Sequence, residues 1–342
     1  MAGQNRADHV RSVIASGRLT RRRESGSVEN PCTGWRTVLA GRVFVFGSLN
    51  MDIVASVPLL PVLGETVAST TMTFLPGGKG GNQAVAAARA GAPTSMIGRV
   101  GEDAFGRTLR RFLADNGVDV ARVESVGDRP TGTALVTVDT AGDNTVVISS
   151  GANDTLAPAA VDVSGLTPED VVVAQFESPV SAVSTFLAAA GSRGATTVLN
   201  AAPARDLPPD LESSVDILVV NENELATLSG RQVDSESPTS AILSAITAVP
   251  GSRAVATIAT VGSRGVVGRL GDLDYALPAR PVRAVDTAGA GDCFVGVLAA
   301  RIAAGDDLGV GIRHANTAAS LCVQRPGGAP AMPTWDEIER SA

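Results

Sequence analysis

Aromatic residues make up only 3% of this 342-residue chain, and lysine is nearly missing, Lys79 being the only one. Without aromatics there is no stacking surface of the kind single-stranded nucleic acid uses. Nor does the charge favour a polyanion. The net charge is −7, and because residues 1–41 hold seven Arg against three acids, the rest of the chain carries −11. An acidic body of this kind excludes nucleic acid as a partner and points to a small-molecule ligand. Long apolar runs are missing as well. None approaches the roughly 18 residues that cross a bilayer, and the N-terminus lacks the continuous apolar core of a secretory signal. A cytoplasmic protein without a membrane partner is therefore expected. The three cysteines, Cys32, Cys293 and Cys322, are far apart, odd in number and without metal-ligand spacing, so they read as reduced thiols. The two histidines are poor candidates for catalysis: His9 lies in the Arg-rich N-terminal stretch and His314 on an expected helix.

What is present is enough for a substantial core: 44% of residues are hydrophobic, and the length suits one large α/β domain or two smaller ones. Residues 1–41 show little periodicity and read as a poorly ordered extension. Their Arg and Ser content also fits an organelle-targeting peptide, against which Asp8, Glu24 and Glu29 count. From residue 42 to 342 short apolar runs alternate with Ala-rich helical segments, the pattern of β-α-β units around a mostly parallel sheet. Strands are expected at Val43 to Phe46, Thr94 to Val100, Val171 to Phe176, Thr197 to Leu199, Ile217 to Val220 and Ala254 to Thr260. Helices are expected at Asn82 to Ala90, Ala104 to Asn116, Val180 to Ala190 and Ser240 to Ala248. The fold class is α/β, a doubly wound mostly parallel sheet flanked by helices. Two segments, about 52–75 and 133–149, break the rhythm with polar–apolar alternation and predict a small antiparallel β lid.

The most informative segment runs Asp286-Thr287-Ala288-Gly289-Ala290-Gly291-Asp292 into the apolar stretch from Cys293 to Ile302. Small residues let backbone N–H groups converge at a helix start, which favours an anionic oxygen such as a phosphate. A carboxylate beside such a cradle makes sense as a base for an incoming hydroxyl, which suggests phosphoryl transfer to an alcohol. The plainer reading is an Ala/Gly turn before a core helix, with Asp292 as a first-turn acid. Gly77-Gly78-Lys79-Gly80-Gly81-Asn82-Gln83 is not a Walker loop; it offers close backbone approach, one cation and an amide, or simply a flexible turn between lid and core. Asn50 and Asp52, two apart after the first strand, fit either recognition of vicinal hydroxyls or turn chemistry. Asn221 to Glu224 reads equally as a capping box.

In order along the chain, Gly47 to Asp52, Gly77 to Gln83, Gly151-Ala152-Asn153, Glu177-Ser178-Pro179, Leu199 to Ala204, Asn221 to Glu224, Thr260 to Gly265 and Asp286 to Asp292 resemble the ribokinase-like sugar kinase family. The resemblance covers Val43 to the C-terminus. It implies that Asp292 deprotonates a primary hydroxyl of the sugar while the amides of Gly289, Ala290 and Gly291 hold the transferring phosphoryl group. Asn50, Asp52, Gly78, Lys79, Asn82 and Glu177 would bind the sugar, with Ala134 and Val146 covering it from the lid. Asn221, Thr260, Val261, Gly262, Ser263, Arg264, Gly265 and Asn316 would take the nucleotide, and Glu224 would act near Mg²⁺ through water. A monovalent cation, K⁺, would sit on Asp286 and the backbone carbonyls of Ala288, Cys322, Arg325 and Gly327. Here the chain departs from the pattern, with Ala331 where the family usually has a Ser. The lid would also form a homodimer.

The implied reaction is transfer of phosphate from ATP to the 5-hydroxyl of D-ribose. Within the family a fructokinase or adenosine kinase is the alternative. A silent sugar sensor would not need Asp292 and its small-residue nest. A nicotinamide-dependent dehydrogenase would need Gly-x-Gly-x-x-Gly after the first strand, which is missing.

Overall fold

The structure, a computed structural model, describes residues 41–158, 161–209, 211–250 and 254–342. All of the expected N-terminal extension except Gly41 lies outside the described residues. Nine strands form one sheet in the order β13-β12-β11-β10-β9-β8-β1-β4-β5. They are β1 (Val43–Phe46), β4 (Thr94–Gly101), β5 (Val118–Val126), β8 (Val171–Gln175), β9 (Thr196–Asn200), β10 (Ile217–Asn221), β11 (Ala256–Thr260), β12 (Val266–Leu270) and β13 (Leu273–Leu277). All neighbours from β11 to β5 are parallel, and the β12–β13 hairpin adds an antiparallel edge.

The expected helices and strands are there, and β5, β12 and β13 join them. β5 carries Asp119, Arg122 and Glu124 among its apolar residues, so its sequence lacks the continuous apolar run of the interior strands. Because successive side chains of a strand point to opposite faces, β1 divides its residues between two cores. Val43 and Val45 pack with α1 (Lys79–Arg89), α2 (Ala104–Asp115), α6 (Ala290–Ala303) and α7 (Leu308–Cys322). Phe44 and Phe46 pack on the other side with α3 (Val180–Ser192), α4 (Glu222–Ser229) and α5 (Thr239–Ala248), where Phe46 stacks on Phe186 at 4.9 Å. The result is three layers, helix–sheet–helix.

From β1 the chain proceeds to β4 and β5 on one side and later to β8, β9, β10 and β11 on the other. The order in which strands are added therefore reverses between the parallel β1 and β8, and the carboxyl ends at such a switch point are the usual ligand position in these sheets.

The lid is a separate four-stranded sheet, β3-β2-β6-β7, made of β2 (Asn50–Ser56), β3 (Thr71–Gly77), β6 (Gly132–Val138) and β7 (Asn144–Ser149). Its two outer pairs are antiparallel as expected, while the central β2–β6 pair is parallel. The two segments are far apart in sequence, and the β-α-β path between them brings β6 back in the direction of β2.

One local expectation differs. The turn between lid and core is confined to Gly77 and Gly78, because α1 already begins at Lys79 and includes Gly80 and Gly81. A Cβ on Gly80 would stand 2.7 Å from the Ser48 carbonyl, so the glycine lets the first turn of α1 lie directly on the Gly47–Ser48 backbone.

Candidate active site

Each side of the site grows from a strand end and a helix start. After β1, Ser48 donates to Glu177 Oε2 at 2.5 Å, and the Lys79 amide donates to the same oxygen at 3.0 Å. This carboxylate thereby ties the ends of β1 and β8 to the start of α1. Asn50 is held by the buried Asn153, whose Nδ2 donates to Asn50 Oδ1 at 2.8 Å. Asn153 in turn accepts from the Leu49 amide at 2.9 Å. A groove of about 290 Å³ lies beside these residues, lined by Asn50, Asn153, Glu177, Ile148 and Arg205 among others.

Asp52 pairs in register with Ala134 on β6, which faces Ile148 on β7, while Val136 faces Val146. Cross-strand partners share a face, so Asp52, Ala134, Val146 and Ile148 lie on one side of the lid. Burial, then the carboxylates of Glu177 and Asp292, push the Asp52 carboxyl up to about 7.

Across the site, Asp292 stands in the first turn of α6, 7% exposed. Its Oδ2 accepts from Asn82 Nδ2 at 2.8 Å and its Oδ1 from Gln83 Nε2 at 2.9 Å. Burial raises its pKa, opposed by the Lys79 ammonium and by these two amide donors. Burial works against the charge of Lys79 too, but the carboxylates of Asp292, Glu177 and Glu224 hold its pKa above the usual value.

Gly289 caps α6 with φ 74°. That left-handed conformation suits glycine, and a Cβ there would also stand 2.8 Å from Gly328 Cα. At Gly291, by contrast, a Cβ would meet no protein atom, so its missing side chain leaves space in the cleft itself. The first amides of α6 lack helical partners; that of Ala290 makes only a 3.3 Å contact with the Thr287 carbonyl. They open into a cleft of about 160 Å³ that also meets Lys79, Asn200, Asn221, Glu224, Thr260, Thr287 and Asp292.

The two readings of Asn221 to Glu224 hold together. Glu224 N donates to Asn221 Oδ1 at 2.9 Å, while Asn221 N and Nδ2 donate to the two Glu224 oxygens at 2.8 and 3.0 Å. The same carboxylate lines the cleft, and burial raises its pKa. Asp286 accepts from Ala288 N at 2.9 Å and from Gly327 N at 2.8 Å, clamping the loop before α6 to the segment after α7. Ala331 is buried in the apolar core and brings no side-chain oxygen.

Two of the expected nucleotide segments meet away from that cleft. Gly262–Arg264 form a 3-10 turn between β11 and β12, and Gly265 abuts Leu277 to Ala279. Asn316 on α7 donates to the Pro278 carbonyl at 2.9 Å and so tethers the same bend. Arg264 donates to the Ser237 carbonyl at 2.7 Å, and Ser263 is exposed. His314 lies edge-on to Trp335 at 5.1 Å and plays no part in the cleft.

A polar groove and an amide-lined cleft that carries a buried carboxylate are features that phosphoryl transfer to an alcohol can use. The family model for pfkB family carbohydrate kinases matches residues 40–335. The chain belongs to that family. It is 36% identical to the ribokinase of Bacillus subtilis over 87% of this chain and 98% of that one. It is 37% identical to the bifunctional ribokinase/ribose-5-phosphate isomerase A of Fructilactobacillus sanfranciscensis, spanning 87% of this chain and 55% of that longer protein. Among solved structures, that of Arabidopsis thaliana ribokinase complexed with ribose and ATP superimposes with a TM-score of 0.80 at 32% identity, over 88% of this chain and 98% of the other. The protein is thus a carbohydrate kinase with the ribokinase-like fold.

Four polar residues of this kinase site were given no role by the sequence reading: Gln83, Asn153, Gln175 and Asn200. Gln83, Asn153 and Asn200 lie in segments that carried the family resemblance. For Gln175 the available signal was a polar amide closing an otherwise apolar buried strand, β8 as Val-Val-Val-Ala-Gln. Among the described residues no helix is long and apolar enough to cross a membrane.

Proposed function

We propose that this kinase transfers the γ-phosphoryl group of ATP to the 5-hydroxyl of D-ribose. The observation that carries the reading is the placement of Asp292. Its buried carboxylate stands in the first turn of the helix whose free amides line the cleft, and its charge is felt by Asp52 and Glu177 on the side of the polar groove. In this reading the sugar oxygen attacks the γ-phosphorus, its proton passes to Asp292, and the bond to the departing ADP oxygen breaks. The amides of Gly289, Ala290 and Gly291 stabilise the charge that spreads over the transferring group. Burial raises the proton affinity of Asp292, which suits a base working near neutral pH.

Asn50, Asp52, Gly78, Lys79, Asn82 and Glu177 hold the sugar, with the small Ala134 and Val146 above the ring. Asn82 Oδ1 is buried without a partner, an acceptor for a sugar hydroxyl. Asn221, Thr260 to Gly265 and Asn316 frame the nucleotide. Both Glu224 oxygens already accept from Asn221, which leaves their remaining lone pairs for water and fits an outer-sphere role toward Mg²⁺. Bound with ATP, the ion would neutralise phosphate charge. K⁺ would be held by Asp286 and the carbonyls of Ala288, Cys322, Arg325 and Gly327; the hydrogen bonds of Asp286 to the amides of Ala288 and Gly327 support this reading.

The lid face opposite Asp52 exposes Met72, Phe74, Leu135 and Val147, each more than 50% accessible, and we assign it to a homodimer contact. The working compartment is the cytoplasm. A coupled assay of ADP release over ribose, deoxyribose, fructose and adenosine tests the substrate. The highest kcat/KM is expected with ribose, and a preference for fructose or adenosine would replace this reading with the corresponding kinase.

A further inference from the structure

Gln83 is completely buried, and so is Gln175 behind it. Gln175 Nε2 donates to Gln83 Oε1 at 2.6 Å. The other end of the Gln83 amide donates to Asp292 Oδ1 at 2.9 Å and to Asn200 Oδ1 at 3.1 Å. A glutamine amide has two orientations, and only one of them puts N–H rather than carbonyl oxygen against a carboxylate. Here the nitrogen end is dictated by two acceptors, Asp292 and Asn200, and the oxygen then meets the donor from Gln175, whose own Oε1 is buried without a partner. The reversed orientation would set oxygen against oxygen at Asp292 and at Asn200, and nitrogen against nitrogen at Gln175.

The two oxygens of Asp292 are thereby unlike. Asn82, which retains an unpartnered oxygen in the site, shares Oδ2, while Gln83 holds Oδ1 from the sealed interior. We propose that Gln83, backed by Gln175, is a positioning residue that fixes the Asp292 carboxylate by one oxygen and leaves the other to receive the sugar proton. The proposal rests on the reading of Asp292 as the base. It extends the catalytic apparatus down to the sheet, from α6 to α1 to β8, by amide groups that touch neither substrate.

The charged and titratable groups facing Asp292 are Lys79 on α1, Asp52 on β2, Glu177 after β8, Glu224 on α4, Cys293 beside it and Cys322 on α7. Gln83→Met leaves all of them in place and removes only the amide. A lost hydrogen bond to the ionised form raises the pKa of a carboxylate. The expected result is a kcat lower by about 10–100-fold at neutral pH, with its acid limb moved up by about one pH unit and ribose and ATP binding within about threefold. Gln175→Met, which does not touch Asp292, is expected to move the limb the same way by a smaller amount.

Asp292→Asn is measured alongside. If it is inactive while both glutamine variants keep the parent kcat and acid limb, the positioning role is overturned and the base assignment stands. If Asp292→Asn retains parent turnover, both fail. Loss of activity in the glutamine variants with an unmoved limb and equal weakening of both substrates also overturns the proposal, since that is the signature of general structural damage.

Discussion

Ribose binding should weaken about tenfold between pH 8 and pH 6 because of a single carboxyl group. Asp52 lies in the proposed sugar site with its pKa raised to about 7, first by burial and then by Glu177 and Asp292. Sugar hydroxyls donate to it best when it is ionised. At one pH unit below the pKa about one molecule in eleven carries the charge, so the observed affinity falls by roughly that factor. At the pKa itself, binding should release about half a proton per site. Calorimetric titration with ribose in buffers of different ionisation enthalpy reads both quantities, without nucleotide and hence without turnover. Asp52→Asn should bind ribose weakly and with little pH dependence. The sign for folding is opposite to that of a salt-bridged acid. With its pKa raised, the native state binds more protons than the unfolded chain between about pH 4 and pH 7, so this group's contribution makes the apoprotein less stable as pH rises through that window. An affinity that stays constant from pH 6 to 8, with no proton released, would refute the assignment of Asp52 as a proton-linked sugar ligand.

Other substitutions separate the parts of the site. Asp292→Asn should lower kcat by about 10²–10⁴ while ATP binding, followed by calorimetry, is retained. Gly289→Ala should lower both melting temperature and activity, because a left-handed backbone costs about 1–2 kcal/mol for a residue with a Cβ and the methyl would meet Gly328. Gly291→Ala should keep or raise the melting temperature, since alanine favours helix by up to about 1 kcal/mol, yet slow turnover by filling space the phosphoryl group needs. K⁺ should activate more than Na⁺ in steady-state titrations, and Ala331→Ser should lower the K⁺ concentration for half-activation; identical rates with and without K⁺ would remove the cation from the account.

Local chemistry was legible in the sequence, and long-range pairing was not. The run from Asp286 to Asp292 declares itself because small residues, an acid and an apolar helix follow each other directly, and α6 begins inside it. The parallel core strands were visible as apolar runs. Gln83 and Asp292 are 209 residues apart, however, and nothing near either one announces their hydrogen bond. The glycines before Asn82 looked like a flexible turn because propensity disfavours them in helices, but contact with the Ser48 backbone overrides that preference. The parallel β2–β6 pair in the lid likewise depends on the path of the intervening chain and not on the alternation of either strand. The capping box at Asn221 is the converse case: the local signal was correct, and the cleft gave the same carboxylate a second place to act.

The most direct test of the proposed chemistry is the identity of the product. Ribose, ATP and Mg²⁺ incubated with the protein and followed by phosphorus and carbon NMR should yield ADP and a sugar phosphate whose carbon–phosphorus coupling lies at C5. The Asp292→Asn protein should yield almost none in the same time. Phosphate attached at C1, or ADP and inorganic phosphate without any sugar ester, would contradict the placement of the 5-hydroxyl against Asp292.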